Sequence, residues 1–210
     1  MTSLNKWIGA MLLLGVGGCQ SSESEIPLIR TGSEFNQVRD EAQKLAEPIF
    51  LKYREPGEYT AKEKSDLKRA LNLFEGLIGF QSNAYPLFMG SGRAAYLLGK
   101  NDLAIDRLRR CIQLSAPTDA ASRVTAAEAY YLGSRIYESE PDFPSAREAA
   151  LQAVKLMPRS PDYLSQLASC QIQMNEVAEA SKNLRSALAV DPGHPRAKAL
   201  QKLLQVSDKP

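Results

Sequence analysis

Read along the chain, the apolar positions fall into helical stripes. Phe35, Val38, Ala42, Leu45, Ile49 and Tyr53 recur at intervals of three and four residues, the spacing that places side chains on one face of an α-helix. They predict a first amphipathic helix over roughly residues 34–53. Pro48 lies inside it and is expected to kink it or end its regular hydrogen bonding, because proline has no N–H to donate. Thr60 followed by Glu63 has the spacing of a capping box and opens a second helix whose stripe is Leu67, Ala70, Phe74 and Leu77.

Beyond residue 80 the pattern repeats. When the segments at 101–108, 143–150 and 177–184 are aligned on their alanines, Ala70, Ala104, Ala146 and Ala180 stand 34, 42 and 34 residues apart. A fixed period of this size signals stacked supersecondary units. A small residue precedes each of the last three alanines, at Gly92, Gly133 and Ala168, and another follows, at Cys111, Ala153 and Ala187. Pro117, Pro158 and Pro192 close the units. Small residues are needed where helices approach so closely that a larger side chain would force the backbones apart. Phe88, Leu108, Leu132, Phe143, Leu164 and Leu184 are the bulky residues that fill the remaining gaps. The 42-residue step implies about eight extra residues near 116–123, expected as a mobile loop, and one more in the turn at 138–143.

With these small residues at positions 8, 20 and 27 and proline near 32, the sequence resembles the tetratricopeptide repeat (TPR). Units 126–159 and 160–193 match well, 85–117 moderately, and 33–82 only in the second helix. The resemblance implies an all-α fold, a right-handed solenoid of antiparallel helix pairs. It would hold about three good repeats, a degenerate N-terminal pair, and a cap helix over 195–206 carrying Ala199, Leu200, Leu203 and Leu204. TPR proteins hold a peptide or a helix of another protein in a concave groove lined by the first helix of each pair. Carrying over the usual groove positions gives Met89, Arg93, Tyr96 and Leu97, then Tyr130, Ser134, Tyr137 and Glu138, then Asp162, Ser165, Ser169, Ile172 and Gln173. Tyr96, Tyr130 and Tyr137 could equally pack between helices. The TPR subtype that clamps a C-terminal carboxylate is not matched, because position nine reads Arg93, Ser134 and Ser169.

The N-terminus carries an address. Lys6, an apolar run over 7–16 and the small residues Gly17 and Gly18 describe a secretory signal peptide, and the run is too short to span a bilayer. Val16, Gly17, Gly18 and Cys19 further resemble the bacterial lipobox, which implies lipidation of Cys19 and anchoring to the envelope. An ordinary signal peptide cut elsewhere is the alternative. Gln20 after Cys19 points to the periplasmic face of the outer membrane if the host is Gram-negative. The expected organisation is a signal peptide at 1–18, a flexible Ser- and Glu-rich tether at 19–32, the solenoid at 33–206 and a short tail at 207–210. In layout this resembles the TPR lipoproteins that serve as pilotins or in outer-membrane assembly machines.

Composition narrows the chemistry. The 210 residues include 26 Lys and Arg against 24 Asp and Glu, a net charge of +2, which argues against a nucleic-acid footprint. One His and three Cys are too few for most metal sites or a disulfide scaffold. His194 sits in a Pro-Gly turn and is read as a surface residue. Gly90 and Gly92 mimic a dinucleotide loop, but no strand precedes them. Ser65 and Lys68 have nucleophile-pair spacing on a charged helix without the partner motifs. Arg107, Arg109 and Arg110 form a basic cluster on an outer helix, read as a solvated face. Cys111 and Cys170 are expected as buried free thiols. The expectation is therefore no catalytic residue, no cofactor, no metal and no small-molecule substrate. It leaves a protein partner in the groove, with self-association or a role as accessory to a cell-wall enzyme as alternatives.

Overall fold

The computed structural model describes residues 25–115 and 119–207. The expected signal segment, Cys19, Pro117 and the last three residues lie outside them. Among the described residues the chain forms α1 (Gly32–Lys52), α2 (Ala61–Phe80), α3 (Tyr85–Leu97), α4 (Asn101–Leu114), α5 (Ala120–Ser139), α6 (Phe143–Leu156), α7 (Pro161–Gln173), α8 (Val177–Val190) and α9 (Pro195–Ser207), with no strand. No described helix is long and apolar enough to cross a membrane.

Local sequence sets the helix ends. Thr31 with Glu34 and Thr60 with Glu63 form reciprocal capping boxes on α1 and α2, and Asp119, Asp142 and Ser160 cap α5, α6 and α7. The turn from α3 to α4 is closed by Lys100 N–H to the Ala95 carbonyl and Gly99 N–H to Tyr96. From α7 to α8 the same turn recurs, through Glu176 to Gln171 and Asn175 to Ile172. These are Schellman closures, which need a left-handed residue at the turn. Gly99 and Asn175 supply it, with φ of 71° and 61°.

Helices pack in sequence as α1/α2, α3/α4, α5/α6 and α7/α8, and α9 covers the last pair. The odd-numbered helices also touch one another in succession, from α1 to α9, whereas no two of α2, α4, α6 and α8 meet. A stack whose odd helices converge while the even ones splay is curved, with the odd helices on the concave side. The predicted small residues sit at the close approaches: Ala70, Ala104, Ala146, Ala153, Ala168, Ala180 and Ala187 are all fully buried. Around them Leu67, Leu77, Leu108 and Leu184 are almost completely enclosed, each burial contributing about 1.5–3 kcal/mol.

Three expectations need correcting. First, of the two outcomes expected at Pro48 the helix does not end there: α1 runs on to Lys52, close to its expected limit, because Ala46, Ile49 and Phe50 on either side of the proline are held in the core against α2. Second, residues 116–118 of the expected loop lie outside the described residues, and 120–123 are helical. The latter lengthen α5, which has 20 residues where α3 and α7 have 13 each; Asp119 starts the helix early, and its far end runs to Ser139. Third, the packed unit begins before residue 33. Ile29 is buried, Thr31 caps α1, and Pro27 fills the space over Gly76, where a Cβ would come within 2.7 Å of it.

Candidate interaction groove

The concave side is built from α1, α3, α5 and α7, with α9 at one end. Its centre is a cavity of about 370 Å³ between Leu51, Arg54, Arg93, Glu128, Tyr131 and Tyr163. A second, of about 450 Å³, adjoins it around Glu47, Phe50 and Met89 and shares Arg93 and Glu128. Arg93 holds this region together: it donates to Glu128 Oε1 at 3.0 Å and to the Phe50 carbonyl at 2.6 Å, and its guanidinium stacks over the Phe50 ring at 4.7 Å. Tyr131 and Tyr163 lie side by side with ring centroids 5.2 Å apart. Burial pushes the Tyr131 and Tyr96 phenols up to about 12, so both remain hydrogen-bond donors at neutral pH.

Towards the C-terminal end the groove is charged. Arg135 is mostly buried, with Nη2 2.7 Å from Glu55 Oε2. Burial opposes its charge, but Glu55 and the neighbouring Tyr131 and Tyr96 outweigh that, so its pKa stands above the ordinary arginine value. Glu138 accepts from Gln166 at 3.1 Å, Ser169 at 2.6 Å and Arg196 at 3.2 Å. These bonds tie α5, α7 and α9 together.

The structure sorts the thirteen expected groove residues. Met89, Arg93, Glu138 and Asp162 are on the concave side. Tyr96, Leu97, Ser134, Ser165 and Ser169 are buried between helices. Of these, Leu97 and Tyr96 pack in the central core, and Ser134 accepts from Gln166 at 3.0 Å. Ile172 packs against the C-terminal core cluster, and Gln173 is exposed at the end of α7. Tyr130 and Tyr137 face the opposite way. They line an outer cavity of about 360 Å³ with Ile105 and Ile112 of α4 and Ala149 of α6. Gly133 opens into the same cavity, and a Cβ there would meet nothing within 4 Å, so it does not act as the close-packing residue that Gly92 is.

On α5 the concave stripe is Glu128, Tyr131, Arg135 and Glu138, an i, i+3, i+7, i+10 series of which the carried-over positions include Glu138, while Tyr130, Ser134 and Tyr137 each fall one residue short of the stripe. One residue turns a helix by about 100°. Tyr163 on α7 was missed as well. Arg54 and Glu55 belong to no repeat and carry no signal in the pattern.

His194 is not a surface residue. It is buried, with Nδ1 accepting from the Ala197 N–H at 3.2 Å and Nε2 3.1 Å from Asp162 Oδ1. Because Nδ1 accepts a backbone N–H, the ring proton belongs on Nε2, where it is donated to Asp162. Ser165 Oγ lies 3.3 Å from Nδ1, which completes a Ser-His-Asp set. The set is not arranged for nucleophilic attack, since Ser165 donates its proton to the Pro161 carbonyl at 2.7 Å and is wholly buried. It caps α9 and pins it to α7.

The weak motifs resolve into packing. Gly90 lies against the Phe74 ring and Gly92 against Leu108, both in the interior of α3. Arg107 pairs with Glu75 at 2.7 Å. Burial raises the Glu75 pKa, but the bonds from Arg107 and Ser91 outweigh it and hold the carboxyl below its ordinary value. Cys111 and Cys170 are buried and unpaired. Among the described residues, no group of three or more His, Cys, Asp or Glu is placed to hold a metal ion.

Comparison with known proteins places this geometry. Residues 137–204 match the family described as tetratricopeptide repeat, and no curated protein sequence matches. A crystal structure of MamA superposes with a TM-score of 0.60 at 19% identity, over 72% of this chain and 86% of that one. The MamA RS-1 double mutant gives 0.57 at 17% identity, over 75% and 76%. The TPR domain of Arabidopsis OM64 gives 0.52 at 18% identity, over 59% and 96%. The chain is therefore an all-α solenoid of antiparallel helix pairs, of which residues 137–204 match the tetratricopeptide repeat.

Proposed function

We propose that the protein is a non-catalytic adaptor that recruits another protein through its concave groove and holds it at a membrane through a lipid on Cys19. The observation that carries this reading is the groove itself: two adjoining cavities lined by Met89, Phe50, Tyr131 and Tyr163, crossed by the Arg93–Glu128 pair at 3.0 Å. Such a mixture of aromatic area and fixed charge suits a peptide or helix, because aromatic and arginine side chains supply most interface energy. The tether rests on the lipobox-like segment that ends at Cys19. With Gln20 following it, the preferred address is the periplasmic face of an outer membrane, in support of an envelope complex of the pilus, secretin or outer-membrane assembly kind.

The test is in-cell photo-crosslinking from Met89 and from Tyr163, with Glu148 on the outer face as the control, in the lipidated protein. A dominant adduct shared by both groove positions and absent from the control identifies the client. Adducts from Glu148 alone would move the interaction to the outer face. Fractionation of a Cys19→Ala variant checks the anchor: a soluble product is expected, and a membrane-bound precursor would contradict lipidation.

A further inference from the structure

We propose that the loop joining α1 to α2 is a built-in strap that fills the groove with its own carboxylate, Glu55, and that the partner's docking segment is an acidic peptide whose carboxylate replaces Glu55 on Arg135 and Arg196. This inference rests on the reading of the groove as a protein-binding surface. The loop reaches across the concave side to three helices. Arg54 pairs with Asp162 of α7 at 2.6 Å, and Glu55 reaches Arg135 of α5 at 2.7 Å and Arg196 of α9 at 4.0 Å.

The two sides of these pairs are unequal. The Arg135 side chain is 15% exposed and Arg196 27%, whereas Glu55 is 50% exposed and Arg54 70%. A mostly buried guanidinium needs an anion beside it, because leaving it unpaired is costly. A half-exposed glutamate on a loop holds its place only weakly. Glu55 also underfills the site: Arg135 Nε and Arg196 Nη1 are buried and have no hydrogen-bond acceptor. A peptide with adjacent carboxylates would reach both.

The loop is held firmly at its base, and its tip by partly exposed ion pairs. At the base the Tyr53 and Tyr59 rings meet edge to face at 4.7 Å, Tyr59 donates to the Glu55 carbonyl at 3.3 Å, and Lys52 pairs with Glu63 at 2.7 Å. Its tip, from Arg54 to Glu58, is exposed and is fastened across the groove by the ion pairs just named. The group that now fills the site is itself a carboxylate carried on a peptide, Glu55 on Arg135 at 2.7 Å. A short acidic peptide is therefore the fitting ligand, in preference to a nucleic acid.

The test measures fluorescence anisotropy of a labelled decaglutamate peptide on the full chain at low salt, with a ten-nucleotide oligothymidylate as the competing anion. Glu55→Gln is expected to bind the peptide about fivefold tighter than the parent, the equivalent of releasing one exposed pair. Arg54→Gln is expected to bind tighter too, although it removes a positive charge, because it frees the strap. Glu58→Gln makes the same charge change as Glu55→Gln on the same loop and is expected to leave affinity unchanged. Adding Arg196→Gln to Glu55→Gln should cancel the gain. Equal affinities across parent, Arg54→Gln and Glu55→Gln would overturn the proposal, as would an equal gain from Glu58→Gln, tighter binding of the oligonucleotide, or no binding by any variant. The groove reading fails on a different result, the absence of crosslinks from Met89 and Tyr163.

Discussion

Gly92 faces Leu108 with no room for a methyl group. A Cβ at that position would stand 2.9 Å from Leu108 Cδ2 and 3.3 Å from its backbone nitrogen. Gly133 is the equivalent residue one repeat on, and a Cβ there would meet nothing within 4 Å. Alanine at the two sites should therefore act in opposite directions. Gly92→Ala is expected to cost about 1–3 kcal/mol through overpacking. Gly133→Ala is expected to add about 0.5–1 kcal/mol, because it removes a glycine from a helix interior without a clash. Urea unfolding of both variants decides it, and a shared sign would mean that the space beside Gly133 is filled.

His194 holds the cap helix by accepting the Ala197 N–H and donating to Asp162. His194→Ala should cost about 1–2 kcal/mol, the loss of an N-cap with some cavity. His194→Asn should recover part of it, since asparagine caps well. Hydrogen exchange along α9 is the readout, and unchanged protection of those amides in His194→Ala would show that the cap is held by other contacts.

Glu63 gives an acid dependence. Its hydrogen bond from Lys52, reinforced by the bonds of Thr60, depresses its pKa from 4.5 to about 2. A carboxyl whose folded pKa is lowered stabilises the fold fully above its unfolded pKa and loses that contribution as pH falls towards the folded value. The window is therefore pH 4.5 down to 2. Thermal unfolding of the parent should fall more steeply across that window than unfolding of Glu63→Gln, and parallel curves would contradict the assignment.

The thiols make a reactivity prediction. Burial pushes Cys111 and Cys170 up to about 11, so at pH 8 neither presents an accessible thiolate. Mass spectrometry after brief iodoacetamide treatment should show both unmodified in the folded protein and both alkylated in guanidinium chloride. Rapid native labelling of Cys170 would mean that α7 opens locally.

The repeat was legible because its cause is one-dimensional. Alanines 34 residues apart must be small wherever a helix crosses its neighbour, and Ala104, Ala146 and Ala180 are accordingly buried without remainder. The groove on α5 was less legible, because a helix shows a new face with each residue. The alignment there was set by Ala146 on the following helix, and Gly133, with open space where a Cβ would stand, does not fix the rotation of α5. His194 was misread because a Pro-Gly turn signals exposure locally, while its burial comes from Asp162 and Ser165, 32 and 29 residues earlier. The Arg54–Asp162 pair joins residues 108 positions apart, and no local pattern encodes such a meeting.

In an open array of repeats each unit touches only its neighbours, and the two termini fray independently. Here Arg54 and Glu55 bind α7 and α9 from the far side of the stack, so the first helix pair and the last are also in contact. The chain is in effect a ring closed by salt links. Loosening either terminus withdraws a small support from the other, so fraying at the two ends is coupled weakly, and the coupling fades as ionic strength rises.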